Sequence, residues 1–223
     1  MVNTFWGMEI TAEQLITGFS DTLYMVALSL LFSGLIGLPL GILLVITRKG
    51  HILENKWIFN ILNPIINILR SVPFIILLVA IIPLTRLIVG TAIGTNAAIV
   101  PLVFYAGPYI ARLVENSLLE VDKGIIEAAQ AMGATTWQII YRFLIPEGLS
   151  SLVLTFTTAT IGLVGATAMA GAVGAGGVGD LALTYGYQRF DTMTMVVTVA
   201  ALVVIVQLLQ SSGNVLSRKI RRR

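Results

Sequence analysis

The chain of 223 residues contains no cysteine, a single histidine and few charged residues, which make up 11% of the sequence. Without cysteine it can form neither a disulfide nor a thiolate metal site. Soluble domains are about 25% charged and about 45–50% apolar, whereas this sequence is 57% hydrophobic with a mean hydropathy of +0.92. The composition therefore excludes an ordinary soluble protein and predicts an all-α membrane protein.

Five apolar runs are long enough to be transmembrane helices, since about 20 apolar residues cross the hydrocarbon core of a bilayer. They lie near residues 22–47, 71–90, 97–119, 150–172 and 192–212, which places the core at 22–212. The first run has no basic leader and is too long for the core of a signal peptide, so we expect it to remain as a membrane anchor.

Basic residues are concentrated after the first run, after the third run and at the C-terminus. Short loops rich in Lys and Arg stay in the cytoplasm, so this distribution predicts an external N-terminus and a cytoplasmic C-terminus. The basic tail is the ordinary flank of a last span and can also contact anionic membrane lipids. We do not expect the chain to bind nucleic acid.

Small side chains recur at every fourth residue in two of the runs, a pattern that lets membrane helices approach each other closely. One ridge comprises Ser29, Ser33, Gly37 and Gly41, and the other comprises Thr158, Gly162, Ala166, Ala170 and Gly174.

The glycines at 174, 176 and 179 have the spacing of a dinucleotide-binding loop. Such a loop needs a short strand before it and an acidic residue about 20 positions later, and the sequence has neither. Two interpretations stay open for these glycines. They serve close helix packing and a turn, or they belong to a moving outer gate that includes Met169, Ala170 and Gly174.

Polar side chains occupy one face of a predicted helix before the second run: Lys56, Asn60, Asn63, Asn67 and Arg70. Such a stripe lies in the headgroup plane or lines a wet cavity, and we favour the headgroup plane. If this helix crosses the bilayer instead, Arg70 lies near mid-depth and becomes a pathway residue. In the third run, Arg112 and Glu115 stand three residues apart, a spacing that predicts an ion pair or an interface contact.

Residues 120–149, between the third and fourth runs, are the most informative stretch. Asp122 is a predicted N-cap of a short helix, and Gly133 suits the left-handed position that ends it. Thr135 and Gln138 then predict a capping box at the start of a second helix, which Pro146 is expected to stop.

These two short helices carry apolar side chains, among them Ile126, Met132 and Trp137, with no core nearby to receive them. An exposed apolar surface of this kind predicts a soluble partner with a matching groove. The alternative is an amphipathic pair that lies on the bilayer.

The same stretch resembles the cytoplasmic loop of the permease subunits of bacterial ATP-binding-cassette importers. That loop carries Glu-Ala-Ala, three residues, Gly, nine residues and then Ile-x-Leu-Pro. The matching residues here are Glu127, Ala128, Ala129, Gly133 and the segment Phe143-Leu144-Ile145-Pro146, in which Phe143 and Ile145 depart conservatively. Residues 70–94, 109–121 and 168–190 are similar to the methionine-uptake branch of this family, which has five spans.

The resemblance implies a single transmembrane permease domain over residues 1–223, in the bacterial plasma membrane, that works as a homodimer by alternating access. It implies that the loop 120–149 is a cytoplasmic coupling loop that docks on a separate ATPase subunit. The residues expected to couple are Glu127, Ala128, Ala129, Met132, Gly133, Trp137 and Pro146. It also implies an extracytoplasmic substrate-binding lipoprotein and a small amino acid as substrate, methionine in the branch named above.

No cofactor is expected in this chain itself. A phosphate-binding loop requires a lysine directly after a glycine, and none of the lysines at 49, 56, 123 and 219 follows one. ATP would therefore be bound by the partner ATPase.

Two other classes of function have different sequence requirements. A membrane enzyme needs paired carboxylates or an activated nucleophile inside its spans, whereas His51 lies in a loop and no span carries two carboxylates. A gradient-driven secondary transporter for a small solute stays open as the alternative, although such carriers place ionisable groups at mid-membrane and show internal repeats.

Overall fold

The computed structural model describes residues 8–221, and within that range the chain is helical and has no strand. The helices in chain order are α1 (Ala12–Thr47), α2 (Lys56–Ser71), α3 (Phe74–Ala80), α4 (Ile82–Val89), α5 (Thr95–Leu119), α6 (Lys123–Ala131), α7 (Thr136–Ile139), α8 (Ile145–Gly171), α9 (Gly177–Leu181) and α10 (Thr192–Arg221). Two π-helical segments, Ile140–Leu144 and Ala182–Gln188, complete the set. The predicted all-α fold is confirmed.

Four stretches among the described residues are long and apolar enough to cross a membrane. They are α1, α5, the continuous stretch Thr136–Gly171 that ends with α8, and α10. These correspond to the first, third, fourth and fifth apolar runs of the sequence.

The second predicted run, residues 71–90, is not one helix, so the prediction of a continuous span there is wrong. It is divided into α3, preceded by Pro73, and α4, whose first turn contains a proline. Proline lacks an N–H and is tolerated mainly in the first turn of a helix, so each of these prolines marks a new start. Helices α2 and α3 together meet the length and hydropathy test but bend by 99° at their break, which makes the number of spans four, or five if that pair is one span.

The chain divides into two compact units. The first comprises Met1–Phe32, Val72–Ala106 and Thr160–Leu209, and the second comprises Ser33–Ser71, Gly107–Ala159 and Gln210–Arg223. Each long helix contributes one segment to each unit, and the stretch that contains α6 and α7 belongs wholly to the second.

In the second unit, glycines allow α1 to lie directly against α5. A Cβ atom added to Gly37 would come within 2.7 Å of the carbonyl oxygen of Gly107, and one added to Gly41 would come within 2.6 Å of that of Ala111. Both distances are shorter than any van der Waals contact, so neither position accepts a side chain. Because Ser29 and Ser33 are also buried, the ridge predicted in the first run is confirmed as a packing surface.

The ridge predicted in the fourth run is buried only in part. Ala166 and Ala170 are buried, whereas Thr158 and Gly174 are exposed. A residue every four positions advances by about 40° per step around a helix with 3.6 residues per turn. Over four steps the ridge therefore leaves the packed face, and Gly174 lies beyond the end of α8.

Candidate coupling loop, buried ion network and glycine turn

Helix α6 begins and ends as the sequence predicts. The side chain of Asp122 accepts a hydrogen bond of 2.7 Å from the backbone N–H of Gly124 and caps the helix. At the other end Gly133 has φ +76, a left-handed conformation that other residues adopt only with strain. Open space surrounds Gly133, so its conformation rather than its size requires glycine.

Helix α7 follows, and Thr135, two residues after Gly133, begins its predicted capping box. The backbone N–H of Thr135 donates to Oε1 of Gln138 at 2.8 Å, and the N–H of Gln138 donates back to Oγ1 of Thr135 at 3.4 Å. The bend between α6 and α7 therefore has a defined geometry on both sides.

The prediction that Pro146 stops this second helix is wrong. The helical path continues from Thr136 to Gly171, and Pro146 lies in the first turn of α8, directly after the π-helical segment. In a π-helical turn the hydrogen-bond register is shifted by one residue, and the N–H of Ile145 donates to the carbonyl of Ile140. Such local adjustments let a membrane helix accept a proline that would otherwise interrupt it.

Large apolar side chains are exposed where α6 and α7 meet. Met132 and Trp137 are 71% and 69% exposed, as predicted, whereas Ile126 is half-buried rather than exposed. Tyr141 is 64% exposed and stacks on Trp137 with ring centroids 5.9 Å apart. Sequence reasoning missed Tyr141, although its position four residues after Trp137 places the two on one helical face. Met132, Trp137 and Tyr141 form what we call the apolar knob.

The residues of the Glu-Ala-Ala match have two different environments. Ala129 is fully buried, while Glu127 and Ala128 are exposed. Ala129 therefore holds α6 against the rest of the second unit. Glu127 and Ala128 remain accessible to a partner, as does Pro146.

The base of the loop is fixed by hydrogen bonds between polar side chains of α5, α8 and α10. Ser117 and Thr155 are buried and their hydroxyl oxygens lie 2.7 Å apart, while Ser151 donates to Oε2 of Glu120 at 3.0 Å. The hydroxyl groups of Ser150 and Ser217 lie 2.8 Å apart. Because these hydrogen bonds connect the base of the loop to α5, α8 and α10, a movement of the loop would also displace those helices.

A buried ion network lies in the second unit, where sequence reasoning predicted an ion pair or an interface contact. Glu115 is 1% exposed and pairs with Arg112 on the same helix and with Arg48, whose Nη1 lies 3.4 Å from Oε1 of the carboxylate. Arg112 also donates from Nη2 to Oδ1 of Asn63 at 2.6 Å and to Oδ1 of Asn67 at 2.8 Å. The predicted ion pair is confirmed, and the network around it connects α5 with α2 and with Arg48, directly after the end of α1.

This network changes the interpretation of the polar stripe on α2. Asn63 and Asn67 turn toward Arg112 of α5, so this part of the stripe contacts protein rather than the headgroup plane that we favoured. The guanidinium group of Arg112 is largely removed from water and has one carboxylate partner, so it needs further acceptors, and the two amides supply them. Arg70 lies in the last turn of the same helix and is exposed.

The loop after α1 carries the histidine. His51 is half-buried, and its pKa is lowered from the ordinary value of 6.5, first by burial and then by the positive charges of Lys123 and Arg48. The imidazole is therefore neutral at pH 7 and lies within electrostatic reach of the first residue of α6.

The glycine turn, residues 172–176, follows the helix α8 and not a strand, in agreement with the rejection of a dinucleotide loop. Gly174 and Gly176 have φ +81 and +79. Beside the turn, a Cβ added to Gly179 would lie 2.3 Å from the Cα of Ala168, so α8 and α9 touch through their backbones. Close packing thus explains the glycine at 179, and backbone conformation explains those at 174 and 176.

The two candidate gate residues have different environments. Ala170 is fully buried, and its carbonyl accepts hydrogen bonds from Val173 and Ala175 at 3.1 and 3.3 Å. Met169 is 54% exposed. Within this pair, Met169 presents an exposed side chain, and the buried Ala170 anchors the turn.

A contact that sequence reasoning missed joins the N-terminal segment to the loop before α10. The backbone N–H of Glu9 donates to Oδ2 of Asp191 at 2.7 Å, and the carboxylate of Glu9 lies 3.6 Å from Nη1 of Arg189. This hydrogen bond and those from Thr194 and Met193 lower the pKa of Asp191. Met8 and Ile10, on either side of Glu9, are buried.

Membrane-length helices and an exposed apolar knob on a capped helical pair define a multi-pass helical membrane protein. Comparison with known families makes this specific. Residues 37–223 match the family described as binding-protein-dependent transport system inner membrane component, and the chain belongs to that family. It is therefore an inner-membrane protein of a bacterial transport system, as predicted.

Curated relatives cover nearly the whole chain. The probable D-methionine transport system permease protein MetI of Vibrio cholerae is 49% identical over 214 residues, which are 96% of this chain and 95% of the relative. The protein of the same name from Haemophilus influenzae is 44% identical over 220 residues, 98% of this chain and 100% of the relative.

Solved structures share the fold. A chain from a structure of inward-facing conformations of the MetNI methionine ABC transporter has a TM-score of 0.92 and 48% identity, and the match covers 94% of this chain and 97% of that one. A chain from an amino acid ABC transporter crystallised with histidines has a TM-score of 0.74 at 18% identity and shares the fold alone.

Proposed function

We propose that this chain is the permease subunit of an ATP-driven importer for methionine. Methionine is the substrate named for relatives that match almost the entire chain, which are described as D-methionine permeases. ATP as the energy source is supported by the MetNI methionine ABC transporter, which the chain resembles at a TM-score of 0.92. The chain works as a homodimer. One subunit has too few membrane-length helices to enclose a channel, so the transport path lies between two subunits on their two-fold axis.

The N-terminus lies outside and the C-terminus in the cytoplasm. The loop after α1, the stretch between α5 and α8, and the end of α10 carry most of the basic residues. Short basic loops are retained on the cytoplasmic side, which places α6 and α7 in the cytosol and the glycine turn outside.

The apolar knob is the observation that carries the proposal. Met132, Trp137 and Tyr141 are each more than three-fifths exposed on a helical pair whose caps and glycine bend are defined. Exposed aromatic side chains of this kind are typical anchors of protein interfaces. They dock in a groove of a separate ATPase subunit, and that subunit binds the ATP.

Docked in this way, the loop transmits the movement of the ATPase to the helices. The hydrogen bonds of Ser117 with Thr155 and of Ser151 with Glu120 connect the base of the loop to α5 and α8. Closure of two ATPase subunits on ATP moves the loops, rocks the two permease subunits and alternates the access of the path.

Substrate reaches the path from an extracytoplasmic binding lipoprotein, in keeping with the family description. It passes the outer glycine turn, where Met169 contacts the solute and where Ala170 and Gly174 set the conformation. Arg70 is exposed at the end of α2. It lies at the headgroup plane or, if α2 crosses the bilayer, near mid-depth as a pathway residue.

The test is uptake by the reconstituted transporter. The chain, its ATPase partner and the binding lipoprotein are placed in liposomes, and uptake of radiolabelled L- and D-methionine is measured with ATP, with a non-hydrolysable analogue, and with a proton or sodium gradient alone. We expect uptake only with ATP. Accumulation on a gradient without ATP would establish the secondary transporter instead, and loss of the ATPase during mild purification would count against the shared assembly.

A further inference from the structure

A small cavity lies in the first unit beside the break between α3 and α4. Its volume is about 210 Å³, and its walls are mostly apolar, with Leu78, Ala97 and Ala98 buried around it. Pockets for drug-sized ligands have volumes of roughly 300–1,000 Å³ and are also mostly apolar, with a few placed polar groups. This cavity is likewise mostly apolar, and its smaller volume suits a smaller ligand.

One side chain of the lining carries a charge. Arg86, in the last turn of α4, borders the cavity and is exposed. A guanidinium group matches a carboxylate with two parallel hydrogen bonds, which makes arginine the usual partner of that group. The cavity therefore combines an apolar interior with one carboxylate-binding group.

The opposite wall is part of the glycine turn. Val173 and Ala175 line the cavity, and the N–H groups of both donate to the carbonyl of Ala170. Gly94, which also lines it, donates from its N–H to the carbonyl of Gly174 at 3.0 Å. A molecule in the cavity would thus contact the turn directly.

We propose that this cavity binds a small amino acid with an apolar side chain. The side chain lies against Ala97 and Ala98, and the α-carboxylate binds Arg86. The inference rests on the proposed function, since it identifies where this chain would hold the methionine that it transports. Val173 and Ala175 of the cavity wall belong to the glycine turn, so a bound amino acid would contact the turn that contains the candidate gate residue Gly174.

The absence of cysteine from the chain allows a direct test. In the reconstituted complex with the ATPase, Ala92→Cys places one thiol in the half-buried lining, and Leu87→Cys places one on α4 at a site 82% exposed and outside the lining. Labelling by a small impermeant maleimide is followed on this chain by mass spectrometry, with and without L- or D-methionine. We expect methionine to slow labelling severalfold at Ala92→Cys and not at Leu87→Cys. Equal rates with and without methionine at both positions would overturn the proposal.

A second change tests the carboxylate contact. Arg86→Gln in the Ala92→Cys background should raise the methionine concentration that gives half-protection about tenfold, the size expected for loss of a charged hydrogen bond. Arg189→Gln is the matched control, because Arg189 is an exposed arginine that pairs with Glu9 and does not line the cavity. An unchanged concentration for Arg86→Gln would remove Arg86 from the site.

The outcomes separate the two levels of the argument. If methionine protects Ala92→Cys but ATP drives no methionine uptake, the cavity is a binding site and the proposed function fails. If ATP drives uptake but methionine never protects Ala92→Cys, the transporter stands and the cavity is not its binding site.

Discussion

Oε1 of Glu115 lies 3.4 Å from Nη1 of Arg48, and the other oxygen of the same buried carboxylate pairs with Arg112. One acidic side chain of α5 thus pairs with two arginines, one of them directly after the end of α1. Through the amides of Asn63 and Asn67, the same group of charges also reaches α2. We expect this network to set the relative positions of three helices within the second unit.

Removing the carboxylate should therefore destabilise the protein. Glu115→Gln leaves two arginines without their acidic partner, and breaking a buried ion pair costs about 3–5 kcal/mol, nearer the lower value where one partner is half exposed, as Arg48 is. The midpoint of thermal unfolding in detergent should fall clearly. Glu147→Gln, at an exposed position of α8, should leave it unchanged, and equal midpoints for the two variants would contradict a structural role for the network.

The apolar knob predicts a loss of ATPase binding. Trp137→Ala removes a side chain that is 69% exposed, so the fold should survive while the ATPase subunit no longer copurifies. Trp57→Ala is the control, because Trp57 is 82% exposed on α2 and outside the loop. Pull-down in mild detergent measures both, and retention of the ATPase by Trp137→Ala would show that the knob does not dock.

The bend at Gly133 predicts a dependence on backbone conformation. Valine at φ +76 is strained by roughly 1–2 kcal/mol, whereas asparagine tolerates the left-handed region. Gly133→Val should insert normally but lose ATP-driven uptake, and Gly133→Asn should retain most of it. An added Cβ at this position would meet no other part of the chain within 4 Å, so a clash with the surroundings does not explain the difference. Equal uptake by the two variants would argue against a role for the bend.

The glycine turn predicts different labelling at neighbouring positions. Met169→Cys should react readily, since Met169 is 54% exposed, and its rate should change when ATP is added if the turn moves during transport. Ala170→Cys should react slowly in both states, because Ala170 is fully buried. Constant labelling of Met169→Cys with and without ATP would favour packing over gating.

His51 predicts a dependence of stability on pH. Burial, Lys123 and Arg48 lower its pKa in the folded protein below 6.5, so below that pH the unfolded chain takes up a proton before the folded protein does. The contribution of His51 to stability is complete above pH 6.5 and is lost progressively as the pH falls toward the folded pKa.

Thermal unfolding from about pH 7.5 to about pH 5.5 measures this effect. His51→Gln removes the titrating group, so its midpoint should fall less over this range than that of the unchanged protein. Leu53→Gln introduces the same side chain two positions away and should keep the original slope. A slope for His51→Gln identical to that of the unchanged protein would exclude His51 as the cause.

Local features were predictable because neighbouring residues determine them. The caps at Asp122 and Thr135 and the left-handed glycine at 133 each depend on a few adjacent residues, and all three were found where the sequence predicts them. The expected helix end at Pro146 was wrong because a π-helical turn shifts the hydrogen bonds before it, and no residue type specifies such a turn.

Composition and short-range hydrogen bonding are local properties, so the amino-acid order was enough to predict an all-helical membrane protein, four of its long helices and the caps of the loop. Three other features depend on packing: the hydrogen bonds of Asn63 and Asn67 with Arg112, the burial of Ala170 beside the exposed Met169, and the place of Arg86 beside a cavity. Those relationships join residues far apart in the chain, and only the packing of helices brings them within a few ångströms of one another.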